Sequence, residues 1–179
     1  MPRRWLLLAL FLAALAWVAF EVGRAPELPP GTDARPDTSS TGFRAACVYF
    51  ASVTGDSLVA ESRELLDTPN LHDRVSALVA ELERGPEGRA LGTLPAGTAV
   101  RHVYLDDRGL LTLDLTAPFR TGFRGGSTAE YLAVASLVRT LGANLGEVRR
   151  VLLVCAGEPV TTLAGHLPLD RPIDVSDLP

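Results

Sequence analysis

Trp5 to Phe20 reads WLLLALFLAALAWVAF, without a charge, a proline or a glycine. A helix of that length rises about 24 Å, slightly short of the ~30 Å hydrocarbon core of a bilayer. Arg3 and Arg4 precede it and can snorkel, Glu21 closes it, and Trp5 and Trp17 suit an interface. Residues 1–22 therefore read as a membrane anchor or a signal segment. The triplet Ala14-Leu15-Ala16 lies inside the apolar run instead of after it, which favours a retained anchor. A helix buried in a soluble domain is the remaining alternative. The anchor and the signal segment predict the same topology. With the arginines inside, everything after Glu21 lies outside the cytoplasmic membrane, held there as a single-pass protein, or secreted if the segment is cleaved.

Residues 23–43 are rich in proline, glycine, serine and threonine and lack apolar periodicity, as expected of a semi-extended linker. Residues 44–168 are expected to form one domain, and residues 169–179 a C-terminal tail. The formal charge of −4 and the absence of any dense basic stretch after Arg4 argue against nucleic acid, whose phosphates demand a basic surface.

Within the domain, Ala45 to Ser52 is a strand closed by Thr54-Gly55-Asp56; Ser57 to Leu66 is ambiguous, since its Leu58, Ala60, Ser62 alternation suits a short extended return and its Glu and Leu content a helix, with the extended reading favoured. Leu71, Val75, Leu78, Val79 and Leu82 form one apolar stripe, so Leu71 to Arg84 is a helix, with Asn70 as N-cap and Gly85-Pro86 as stop. Ala99 to Leu105 and Leu110 to Leu115 pair about the turn Asp106-Asp107-Arg108-Gly109. Leu111, Leu113 and Leu115 point one way, Thr112 and Asp114 the other. Ser127 and Glu130 have the spacing of a capping box at the start of a second helix, which Gly142 ends. Val148 to Ala156 is the last long strand.

The order β-α-β-β-α-β, with an extra short strand after the first, predicts an α+β two-layer sandwich. Two helices would cover one face of a mainly antiparallel sheet. In a ferredoxin-like strand order the first and last strands lie side by side. Cys47 and Cys155 could then pair in an oxidising space, closing a loop of about 100 residues for up to ~4–5 kcal/mol. The alternative is two thiols buried in the sheet.

No cofactor and no metal are expected. His72, His102 and His166 have none of the ligand spacings of a zinc site, and no nucleophile elbow or Walker pattern occurs. Ser127 beside Gly126 is explained by capping. Asp114, read as solvent-exposed, and His166, in a loop, are the two residues left as ligand-site candidates.

Val48-Tyr49-Phe50, Leu94-Pro95-x-Gly97-Thr98, Leu113-Asp114-Leu115, Phe119, Gly126-Ser127-x-x-Glu130, Leu137-Val138-x-Thr140-Leu141 and Leu163-x-Gly165-His166 follow in this order. Together they resemble the GerMN domain family, first associated with sporulation and spore germination proteins. The resemblance implies an extracytoplasmic module, often behind a lipid or transmembrane anchor and sometimes linked to cell-wall amidases, with no recognised catalytic residues. The expected role is non-enzymatic: a protein-interaction or assembly module of the bacterial cell envelope. Its expected partners are the membrane through the N-terminal helix, envelope proteins or a second copy, with peptidoglycan a further candidate. The competing expectation is a cell-wall ligand-binding or hydrolytic domain, which requires Asp114, Glu130 and His166 to converge.

Overall fold

The two segments flanking Thr54-Gly55-Asp56 form a single hairpin. In the computed structural model, which describes residues 42–178, β1 (Phe43–Ala51) and β2 (Leu58–Leu66) pair antiparallel from Phe43 opposite Leu66 to Ala51 opposite Leu58. Asp56 Oδ1 fixes the turn by accepting from the hydroxyls of Ser52, Thr54 and Ser57. The expected anchor lies outside the described residues. Among those described, no helix is long and apolar enough to cross a membrane.

The first long helix, α1 (Leu71–Arg84), has the predicted bounds. Asn70 Oδ1 accepts from the backbone N–H of His72 and Asp73, Gly85 follows the last turn, and Val75, Leu78, Val79 and Leu82 are buried. Strands β3 (Val100–Leu105) and β4 (Leu110–Leu115) make the second hairpin. A short α2 (Pro118–Thr121) and the long α3 (Ser127–Asn144) then lead to β5 (Arg150–Cys155). β5 lies parallel to β4, as a helical crossover permits. Two short strands, β6 (Glu158–Pro159) and β7 (Ile173–Asp174), pair antiparallel with β5.

The α+β class holds, and the pairing is mainly antiparallel. The strands form two sheets, however: the β1–β2 hairpin, and β3-β4-β5-β6 with β7 joined to β5. The expected adjacency of first and last long strands is therefore wrong, and the reason lies in the edge of β1. Asp67 N donates to Gly42 O and Ser52 N to Ser57 O, which sets the phase of the ladder. Even-numbered β1 residues bond to β2, and odd-numbered ones aim their backbone groups away from it. There α3 meets them with side chains. Asn144 accepts from Cys47 N at 3.0 Å and donates to Cys47 O at 2.7 Å. Thr140 Oγ1 accepts from Tyr49 N, and Ser136 Oγ donates to Tyr49 O. Residues four apart on a helix rise about 6 Å and residues two apart on a strand about 6.7 Å, so the two repeats match. Leu91 continues the edge with two backbone bonds to Ala51. A strand edge satisfied in this way has no place for β5.

Cys47 and Cys155 consequently sit in different sheets, and both are free thiols. The proposed disulfide is thus corrected, because the strand order it required does not occur.

Apolar side chains from both sheets and both long helices meet in one core: Val48 and Phe50 from β1, Leu78 and Leu82 from α1, Leu111, Leu113 and Leu115 from β4, Val134, Val138 and Leu141 from α3, Val151 and Leu153 from β5. Helix α3 runs past Gly142 to Asn144. That glycine is a contact surface instead of a stop: a Cβ there would lie 2.3 Å from Val175 Cγ1. The segment read as a tail packs on the domain through buried Leu169, strand β7 and Val175 N donating to Arg149 O.

Candidate functional site

The three residues on which the hydrolytic expectation depended are built into two separate clusters. Asp114 is the penultimate residue of β4, opposite His102 in β3. A bulge between Val100 and His102 turns both Arg101 and His102 toward it. Asp114 Oδ2 accepts from Arg101 Nη1 at 2.9 Å and lies 3.2 Å from His102 Nδ1, and Oδ1 accepts from Gly157 N at 3.0 Å. Gly157 is held there by the two-residue turn of β5–β6, in which Ala156 and Gly157 both have positive φ. Asp114 is buried, which corrects the expectation of an exposed carboxylate. Burial alone would raise its pKa; the Gly157 N–H, His102 and Arg101 outweigh it and hold the carboxyl below the usual range.

Glu130 corrects the capping box. The N-cap of α3 is Gly126, no side chain caps it, and Ser127 is the first helical residue. Glu130 is fully buried and points away from the helix start. Its Oε1 accepts from Leu163 N at 2.8 Å, its Oε2 from His166 N at 2.9 Å, and His166 Nδ1 lies 3.3 Å from Oε2. Here too burial would raise the pKa, and the backbone N–H groups of Ala164, Leu163, His166 and Leu167 lower it further than burial raises it. Glu130 is a clasp for the loop after β6.

Glu130 and His166 thus meet, and Asp114 belongs to another cluster. Both carboxylates are saturated with donors and have lost basicity, which is the opposite of the tuning that general acid–base work requires. A groove of about 430 Å³ lies elsewhere, between the Leu91–Pro95 segment and the start of α3. Ala51, Leu91, Leu94, Phe123 and Leu132 line it together with Arg124, which donates to the carbonyls of Thr121 and Phe123. Asp114, Glu130 and His166 are absent from its walls. Among the described residues no group of three or more His, Cys, Asp or Glu is arranged to hold a metal ion.

Exposed apolar surface is distributed unevenly. Of the seven large apolar side chains left exposed among the described residues, Phe43, Val53, Val59 and Leu66 belong to the β1–β2 hairpin or its turn. Phe43 (69% exposed) and Leu66 (55%) are cross-strand partners. Composition could not reveal this concentration, since it depends on which face of each strand turns outward.

Residues 47–161 match the Germane family, described as sporulation and spore germination. Two solved structures share the fold at 18% identity. One is the tandem GerMN domains of the sporulation protein GerM from Bacillus subtilis, with a TM-score of 0.62 over 76% of this chain and 48% of that one. The other is the first GerMN domain of the same protein, with a TM-score of 0.61 over 75% of this chain and 99% of that one. The chain thus spans about half of the tandem structure and nearly all of the single domain. No curated protein matches. The resemblance drawn from the ordered motifs is borne out.

Proposed function

Because this chain belongs to the Germane family of sporulation and spore germination domains, we propose that it is a non-catalytic interaction module of the bacterial cell envelope. In this reading the apolar segment Trp5–Phe20 holds it at the membrane, and the domain lies outside. The observation that carries the proposal is a division of labour within the molecule. The buried carboxylates are consumed in holding the chain's own loops, and four of the seven large apolar side chains left exposed among the described residues belong to one hairpin and its turn. Phe43 and Leu66 are adjacent across the hairpin, and neighbouring apolar side chains left exposed on a folded domain mark a recognition face more readily than a reaction centre. The GerMN structures from a sporulation protein support the same direction through fold alone. No observation favours the wall-active alternative, since its three residues do not share a pocket.

The test is complementation in a strain lacking the gene. The double variant Phe43→Asp/Leu66→Asp should fold and reach the membrane but fail to complement, whereas His102→Ala/His166→Ala, which removes two exposed imidazoles, should complement fully. The reverse pattern would contradict the proposal. A C-terminal reporter active only in the cytoplasm would overturn the topology.

A further inference from the structure

The outer edge of β2 is the longest strand edge among the described residues with which no other backbone pairs. The edge of β1 is taken by α3 and Leu91, and that of β3 is broken by its bulge and carries Arg101 and His102. β2 runs nine residues without a bulge or proline. Its odd residues bond to β1, so the N–H and C=O groups of Leu58, Ala60, Ser62, Glu64 and Leu66 point outward. Folded proteins normally blunt such an edge, because it templates pairing with another chain. Here it is intact.

The strand is also self-complementary. Its sequence is LVAESRELL, with Ser62 at the centre. Placed antiparallel against a copy of itself about Ser62, Leu58 meets Leu66, Val59 meets Leu65, Ala60 meets Glu64 and Glu61 meets Arg63. The residues that pair by hydrogen bonds in this register are the even ones, whose backbone groups have no backbone partner within the chain; Ser62 O accepts from Arg63 Nη1 at 3.2 Å, a contact that pairing would replace. Glu61 and Arg63 already face each other at 2.7 Å within one chain, with Arg63 stacked 5.6 Å from the Phe50 ring. In the pair they would alternate in sign across the two-fold axis, in the closer, non-hydrogen-bonded positions. A two-fold interface requires one patch to complement itself, and this one does.

We infer that β2 is a homodimerisation edge: two copies join β2 to β2 about Ser62, making a four-stranded antiparallel sheet from two hairpins. The inference deepens the proposed interaction role by naming a second copy as the occupant. Leu66 would then lie between its own Phe43 and Leu58 of the second copy, extending an apolar row across the junction.

The test uses the full-length chain in mild detergent, with its mass measured by light scattering and sedimentation. Wild type should be a dimer. Ser62→Pro deletes an outward N–H that makes no bond within the chain, so far-UV circular dichroism should be unchanged while the apparent dimer Kd rises roughly tenfold or more. A second arm introduces Ser62→Cys in a Cys47→Ser background, since Cys47 faces Ser62 across the hairpin. Paired Ser62 positions would sit about 5.5 Å apart between Cα atoms, within disulfide reach. Glu64→Cys copies would be about 13 Å or more apart. Mild oxidation should therefore link the first variant and spare the second. A dimer indifferent to Ser62→Pro, or equal crosslinking of both cysteine variants, overturns the β2 edge while leaving interaction through another surface intact. A monomer that still recovers an envelope protein by crosslinking overturns the second copy alone. A monomer with no crosslinked protein overturns both proposals.

Discussion

Glu130 shows how far a residue's role can lie from its sequence neighbours. Its spacing from Ser127 fits a capping box, yet its carboxylate accepts backbone N–H groups at Leu163 and His166. Nothing local to Ser127-x-x-Glu130 could announce partners more than thirty residues away. Asp114 was misread for a related reason: alternation places it correctly on the outer face, but the bulge that delivers Arg101 and His102 has no signature in sequence. Replacing Glu130 with Gln keeps the shape and removes the charge, leaving an amide N–H₂ against backbone donors. We expect a loss of about 2–3 kcal/mol in urea unfolding, as for buried charged hydrogen bonds. The pH dependence follows from the same groups. Both Glu130 and Asp114 have folded pKa values below those of the unfolded chain, about 4.3 and 3.9. Their contribution is complete above those values and lost as pH falls through the folded pKa. Stability should hold from pH 7 to 5, fall below about pH 4, and fall less steeply in Glu130→Gln. Gly142→Ala gives a separate residue-scale test. In an unobstructed helix the change should add about 1 kcal/mol of stability. With Val175 against it, the change should instead destabilise, and Val175→Ala should restore much of the loss in a double-mutant cycle of thermal unfolding.

At the scale of elements, α1 was fully legible, because its stripe, its Asn70 cap and Gly85-Pro86 all agree. The first hairpin was legible only in part: its turn stands out, but the Glu and Leu content of Ser57–Leu66 suits a helix as well as the strand it forms. What the sequence did not disclose was the fate of the β1 edge. Ser136, Thr140 and Asn144 recur every four residues on an otherwise apolar helix, a pattern visible in the chain but easily taken for an exposed stripe. Read as a ladder of donors and acceptors, it would have separated β1 from β5 and removed the reason for a Cys47–Cys155 bridge. Asn144→Leu leaves the N–H and C=O of Cys47 unpaired together, and each orphaned group costs about 1–3 kcal/mol. Hydrogen exchange should then quicken in β1 and β2 well before it changes in β4 and β5. Uniform quickening would mean that the ladder does not hold the hairpin in particular.

The whole molecule divides into an interior that uses up its polar chemistry and a hairpin that presents apolar side chains and an unpaired strand edge. Family membership agrees with that division without assigning partners, since the shared fold is carried at 18% identity. The central claim is that the hairpin is the surface through which this protein works. A photo-crosslinking residue placed at Leu66, with the same residue at Asp107 in the β3–β4 turn as comparison, tests it in living cells. Defined protein adducts from position 66 and few from position 107 are the predicted result; adducts from position 107 alone, or from neither, would contradict it.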